Sequence, residues 1–579
     1  MLKARKLYVG LILILSAVII YLGTLVVQDR GITPGNIPVD SIVQPEEWNY
    51  IITTDIKNSV PSLEVNGKKV KFSGKKMYLD DNLNVMLPLD IIGSTFSCAI
   101  NNIEENNIEL QKGNNVVKIH GVEQYIDVSG KIIPIINPIS VQYNQMYINS
   151  KVIELGFSYD SKWQANENTL ILTSNGIEEH ILPSKYSYRD VGRLPDIEDQ
   201  GVYGTCWAFA SLGAVESSIM PEEKYNFSEE NMTLNVGYKG NQMEGGDYTR
   251  AIAYLTSWAG PVLEEDDPYG DGKYNPDAPV VKHVQEVQLI ESKNLQAIKR
   301  AVFLDGGVET CMYTSMNKAG EKSVYYNEKN SSYCYIGTQA PNHDVVIVGW
   351  DDNYPKENFT SKLEADGAFI CMNSWGEEFG DEGLFYVSYY DSNIGMHNAV
   401  YTRIEDVENY DNIYQSDLCG WVGHLGYEED GAYFANVYTA RGDEEIKAVG
   451  FYATGKDTSY EIYYVDGFAG EESFNKRVYL QSGKFINGGF YTVDLENPIR
   501  ILEGTRYAIV IKIKTPGTTK PIAIEYKAGQ GTRNVDITDG EGYISYTGRS
   551  WEHVEESKEC NICLKMYTDN ISIESEYVR

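Results

Sequence analysis

The sequence predicts an α+β chain of several domains, preceded by one apolar segment long enough to span a membrane. Three observations carry this. The chain has 579 residues, whereas a single hydrophobic core rarely serves more than roughly 250. Helical and strand patterns occupy different stretches of it. The stretch Leu7–Val27 contains no charged residue, and as a helix it would cross a hydrocarbon core of roughly 30 Å.

At the N-terminus, Lys3, Arg5 and Lys6 precede the apolar stretch, which ends Thr24-Leu25-Val26-Val27. A cleaved leader ends on a small-x-small site, and none occurs here. Residues 1–28 are therefore expected to be a cytoplasmic stub and signal anchor, the basic residues staying inside. Everything after Gln28 is then extracellular, or secreted should the segment be cut. Residues 29–60, with Pro34, Pro38 and Pro45, read as a linker.

Composition narrows the function. Hydrophobic residues make up 42% and the net charge is −34, so the chain folds but has no basic footprint for nucleic acid. The seven histidines contain no H-E-x-x-H pair, and Cys560-Asn561-Ile562-Cys563 lacks a second C-x-x-C. Neither a metal nor another cofactor is expected. A nucleophilic Cys206 would leave seven of the eight cysteines, so they cannot all be paired.

In residues 61–175, Leu63–Val70 alternates around an Asn66-Gly67 turn, a hairpin pattern. Leu89–Ile92 followed by Glu105–Leu110 is echoed by Lys151–Ile153 followed by Glu167–Leu172. Two copies of a strand–helix–strand unit are expected. This stretch resembles the small domain named after the N-terminal part of copper amine oxidases, a name that implies no metal here. Residues 180–403 mix helix and strand signals. Residues 404–570 are β-rich, with strands at Tyr460–Val465 and Tyr507–Lys514 between turn residues, which suggests a sandwich.

The chemistry centres on residues 199–210. A glycine-punctuated loop gives way there to helix formers from Trp207 to Met220, so Cys206 opens a helix. Unsatisfied amides and the macrodipole lower a thiol's pKa at that position. Gln200 is near enough to donate its amide to an oxyanion beside the Cys206 N–H. Far downstream, His343 starts the apolar run Val345–Trp350, and a second run, Ala368–Met372, ends at Asn373 and Trp375. Asn373 can fix the imidazole tautomer, and Trp375 can shield that bond from water.

The order Cys206, His343, Asn373, with Gln200 upstream, resembles the papain family of cysteine peptidases. That family's histidine and asparagine fall roughly 130–150 residues after the cysteine. His343 lies inside this interval and Asn373 beyond it, behind an insertion at Tyr354–Asp366. The resemblance implies a two-lobed catalytic domain, a helical lobe plus a β-barrel-like lobe, over residues 180–403. Cys206 would be the nucleophile, His343 the base, Asn373 its orienter, Gln200 the oxyanion donor and Trp375 the shield. Gly245 and Gly246 would receive the substrate backbone. The family's staple cysteines are replaced by Tyr203 and Met243, and residues 30–180 do not resemble its helical propeptide. Gly420–Gly423 and Tyr433–Tyr438 resemble the lectin-like domain that follows such peptidases in some anaerobic bacteria.

The expected function is an extracellular thiol peptidase acting on proteins or peptides, with surface glycans as possible partners of residues 404–570. Two alternatives stay open: an adhesin with a silent peptidase domain, and a Cys-His-Asn amidase acting on cell-wall peptides.

Overall fold

A computed structural model describes residues 61–571 apart from short segments, among them 71–76, 165–168, 175–181 and 239–241. The expected membrane span at Leu7–Val27 and the linker 29–60 lie outside these residues. Among the described residues, no helix is long and apolar enough to cross a membrane. The chain divides into two compact units, one ending at Ile181 and the other beginning at Leu182.

In the first unit the internal repeat becomes visible as structure. Strand Val85–Pro88, helix Leu89–Phe96 and strands Ala99–Glu104 and Asn107–Lys112 are matched in the second copy. There, strand Gln145–Asn149 leads to helix Ser150–Phe157 and strands Tyr159–Gln164 and Thr169–Ser174. The expected hairpin forms as Ser62–Val65 against Lys68–Lys69, with Asn66 at φ 50° in its turn. The first strand also pairs in parallel with Thr169–Ser174. Leu63, Ile92, Phe96, Val152, Phe157 and Leu172 fill one shared core.

The second unit is built around helix Cys206–Ile219, which is buried along nearly its whole length. Its small and apolar residues point in all directions, as expected of a helix enclosed on every side. Gly213 permits the closest approach, because a Cβ there would come 2.6 Å from Met372 Cε. Pro221 follows the helix end, where a helix cannot continue. Helices Glu229–Asn235 and Tyr248–Thr256 complete the helical lobe. Facing it are the antiparallel strands Val308–Met312, His343–Asp351, Ala368–Met372 and Leu384–Ser388.

These strands belong to one 13-stranded sheet, and among the described residues no pairing closes it into a barrel. The expected barrel-like lobe is an open sheet. The sheet runs on into the C-terminal region, where Lys282–Leu289 pairs with Gly488–Ile501 in the register Val287↔Phe490. Strand Asn398–Asp406 crosses the boundary drawn at residue 403. Local patterning reports a strand's own faces but not which distant strand completes its edge, so this continuity leaves no mark in sequence. Beyond it, a six-stranded sheet carrying Thr458–Val465 and Arg506–Lys514 packs on the long sheet. Phe434, Ile462, Ile509 and Ile511 meet Ile446, Phe451 and Leu564 between them, the layering of a sandwich.

Candidate active site

Cys206 occupies the first position of the central helix. Strand His343–Asp351 delivers the imidazole, and its register against Val308–Met312 places Met312 opposite His343 and Cys311 opposite Asp344. The main-chain N–H groups of Asp344 and Trp207 both act on the Cys206 sulfur, so the thiol lies at the mouth of the histidine strand.

The Nε2 of His343 lies 2.7 Å from Asn373 Oδ1. Ser374 N–H donates to the same oxygen at 2.9 Å, which fixes the amide's orientation: a reversed amide would set two donors against each other. Nε2 therefore carries the hydrogen, and Nδ1 is the free base. The Trp375 ring stacks on the imidazole with centroids 4.9 Å apart, and Phe379 meets Trp375 edge-on. His343 and Asn373 are both buried.

Gln200 joins this group through its main chain and its side chain. Its N–H donates to Ser374 O, and Asp199 bridges Trp375. Its Oε1 accepts from Ser374 Oγ at 2.7 Å, and its Nε2 donates to Tyr203 O at 2.7 Å. One amide hydrogen is spent there, and the second remains. Tyr269 OH donates to Gln200 O and shares a 2.6 Å bond with Thr205 Oγ1.

The glycine pair is demanded by two different constraints. Gly245 has φ +75°, and a Cβ on Gly246 would lie 2.5 Å from the Trp207 ring. Arg250 Nη1 donates to Gly245 O at 2.8 Å, so that carbonyl is already engaged. In place of the family's staple, Tyr203 meets Tyr269 edge-on, and Met243 is exposed. All eight cysteines are free thiols.

Electrostatics depart from the sequence expectation. Burial, together with Asp344, pushes the Cys206 thiol up to about 12 rather than down. Burial also lowers the His343 imidazole to about 4, against the hydrogen bond it donates to Asn373. The first helical turn supplies amides, but the helix is enclosed, and desolvation outweighs a macrodipole effect of ~1 kcal/mol. Either charge standing alone is penalised. Moving the thiol proton to the imidazole creates two opposite charges, which at a separation of ~4 Å attract by roughly 4 kcal/mol at an effective dielectric of 20.

A small cavity behind the site is lined by Glu198, Glu216, Glu229, Asp344 and Asn373 among others. Burial raises Glu216 to about 8 and Asp344 to about 7. Among the described residues, no group of His, Cys, Asp and Glu could hold a metal ion.

All the expected catalytic residues converge, and Gly245 and Gly246 border them through Gly204 and Trp207. Sequence reading missed Ser374, Tyr269 and Asp344. Only the last left a signal, a charge directly before an unbroken apolar strand.

Residues 182–404 match the model of the papain family cysteine protease. They belong to the papain family. The copper amine oxidase N-terminal domain matches residues 64–172, and the lectin-like domain matches 413–568.

The papain-family region is 26% identical over 226 residues to falcipain-3 of Plasmodium falciparum, covering 38% of this chain and 44% of that protein. The chain thus spans less than half of that relative. It is 26% identical over 258 residues to cathepsin S of Bos taurus, covering 42% of this chain and 68% of that one. Among solved structures, the clostridial cysteine protease Cwp84 after propeptide cleavage aligns with a TM-score of 0.61 at 28% identity. That match covers 67% of this chain and all of the other. The protease and lectin-like domains of Cwp84, a surface layer associated protein of Clostridium difficile, align with a TM-score of 0.59. Identity there is 26%, over 67% of this chain and 89% of that one. The papain-family and lectin-like regions therefore occur together in a solved relative, in keeping with the sheet that joins them here.

Proposed function

We propose that the chain is a thiol peptidase that hydrolyses peptide bonds through Cys206, His343 and Asn373. The observation that carries this is the His343–Asn373 bond of 2.7 Å under the Trp375 ring. It leaves Nδ1 free on the residue before Asp344, whose main-chain N–H acts on the Cys206 sulfur. In this reading Nδ1 accepts the Cys206 proton as sulfur attacks the carbonyl carbon. The Cys206 N–H and the second amide hydrogen of Gln200 receive the oxyanion. The imidazolium then protonates the leaving amine, and water enters by the same base to release the acyl group. Gly246 offers its main chain to an extended substrate, since Gly245 O is taken by Arg250.

The test treats the full chain with a peptide epoxide and locates the adduct by mass spectrometry. Labelling that persists in Cys206→Ala removes the assignment. Labelling at Cys206 without cleavage of any protein or peptide favours a silent, binding role.

We further propose a cell-surface setting. The apolar segment Leu7–Val27 and the surface-layer association of Cwp84 support it. Fractionation that leaves the chain with the cytosol excludes it.

We also propose that the lectin-like region binds glycans. A groove of 520 Å³ on its six-stranded sheet is lined by Ser459, Glu461, Tyr479, Ser482, Lys512 and Lys514 among others. Tyr479 is half exposed, and Glu461 pairs with Lys512 at 2.6 Å. An aromatic face among hydroxyl and charged groups suits a polyol. A glycan array that stays blank, or binding unchanged in Tyr479→Ala, counts against it.

A further inference from the structure

We propose that Asp344 makes the subsite on the Gly246 side of Cys206 selective for a basic side chain, lysine or arginine, of the substrate. This rests on the peptidase reading above and adds the substrate class to it.

The placement follows from strand alternation. His343 turns toward Asn373 and Trp375, so its neighbour Asp344 turns to the opposite face. Cys311 stands directly across the antiparallel pair from Asp344, and Glu309 stands across from Val346. Asp344, Cys311 and Glu309 therefore share one face. Asp247 and Tyr248, which follow Gly246 and open helix Tyr248–Thr256, close it from the other lobe. Asp247 lies within electrostatic reach of Asp344, and Tyr248 within reach of Asp344, Glu309 and Cys311. The Asp344 N–H acts on the Cys206 sulfur, so its carboxyl adjoins the nucleophile.

Among the described residues, no ion pair reaches Asp344, which is only partly exposed. Glu309 is 2% exposed. Its Oε2 accepts from Ser211 Oγ at 2.8 Å and from Tyr401 OH at 3.0 Å. Its Oε1 is buried without a partner. Two basic side chains near this face bond to main-chain carbonyls rather than to Asp344: Arg250 to Gly245 O, and Lys293, whose charge reaches Cys311, to Asp391 O and Ile394 O.

An apolar substrate side chain entering here would strip water from Asp344 and return no hydrogen bond. An ammonium or guanidinium would supply charge-assisted donors to Asp344, with Asp247 within electrostatic reach behind it.

The test uses peptide epoxides that differ only in the residue nearest the warhead, Arg, Lys, Leu or Phe. A second series varies the residue one position further out. The rate of Cys206 modification in the full chain is read by mass spectrometry. At one of the two positions, Arg and Lys are expected to react at least ten-fold faster than Leu. Asp344→Asn is expected to shrink that ratio ten-fold or more, through the concentration for half-maximal rate. Asp344→Glu should retain it. Asp344→Ser serves if the asparagine variant does not fold. A preference for Leu or Phe at both positions, or an Arg:Leu ratio unmoved by the substitutions, overturns the inference and leaves the peptidase reading standing. If no epoxide modifies Cys206, the peptidase reading itself falls, and this inference with it.

Discussion

His343 Nε2 and Asn373 Oδ1 are held 2.7 Å apart by two strands of one sheet, although they are 30 residues apart in the chain. The insertion at Tyr354–Asp366 does not disturb them. It turns back through Lys356–Asn358 and buries Tyr354, Phe359 and Leu363 against Cys334 and Ala368. The strands on either side keep the register Val346↔Met372. Replacing Asn373 by Ala removes the acceptor and leaves the ring free to rotate. We expect kcat/KM to fall about ten-fold or more, short of the roughly 10²–10⁴-fold loss of a general base, with Cys206 still labelled by epoxide. Steady-state kinetics on one fluorogenic peptide checks it.

In His343→Ala the imidazole is gone, and burial together with Asp344 sets the thiol, whose pKa lies up at about 12. Alkylation of Cys206 by iodoacetamide should then stay slow through neutral pH and climb only in the alkaline range, because the thiolate is the nucleophile. The unmodified protein should react at pH 7, where proton transfer within the pair supplies the thiolate. Equal rates in the two proteins at pH 7 would remove His343 from the role of base.

A chain cut after residue 403 ends inside strand Asn398–Asp406. It also strips Gly488–Ile501 from Lys282–Leu289, whose residues Val284 and Val287 are fully buried. An uncovered apolar edge strand pairs with other chains. The truncated papain-family region should be insoluble or aggregate on size-exclusion chromatography, while a chain ending at 571 should elute as folded protein. A soluble, epoxide-reactive 182–403 fragment would refute this.

The candidate site residues were legible because their signals are local: Cys206 at a loop-to-helix change, His343 and Asn373 at the ends of apolar runs. The paired strand–helix units were legible from their echo, and the strands at Tyr460–Val465 and Tyr507–Lys514 from strand-forming runs between turn residues. Three things were not. The thiol's environment depends on which residues enclose the helix, so Cys206 moved opposite to the helix-end expectation. The continuity of the sheet depends on pairing between Val287 and Phe490, 203 positions apart in the register of two distant strands. The setting of Asp344 depends on Cys311 across its own strand pair and on Asp247 from the other lobe, which no spacing encodes.

Glu216 extends this point to stability. Its Oε1 accepts from Phe227 N–H at 2.9 Å, but burial holds its pKa up at about 8 against an ordinary 4.5. Between those values the folded chain keeps a proton that the unfolded chain has released. Its contribution is therefore fully present below about pH 4.5 and is lost as pH rises through 8. His343 works from the other side. Its folded pKa of about 4 lies below the usual 6.5, so its contribution is present above 6.5 and is lost as pH falls through 4. Glu216→Gln keeps an oxygen for Phe227 and removes the titration. At pH 8 it should be more stable than the parent by roughly 3–5 kcal/mol, with the difference shrinking toward pH 5. Denaturant midpoints at pH 5, 6.5 and 8 measure this. A difference that does not depend on pH would mean that Glu216 is already ionised in the folded chain.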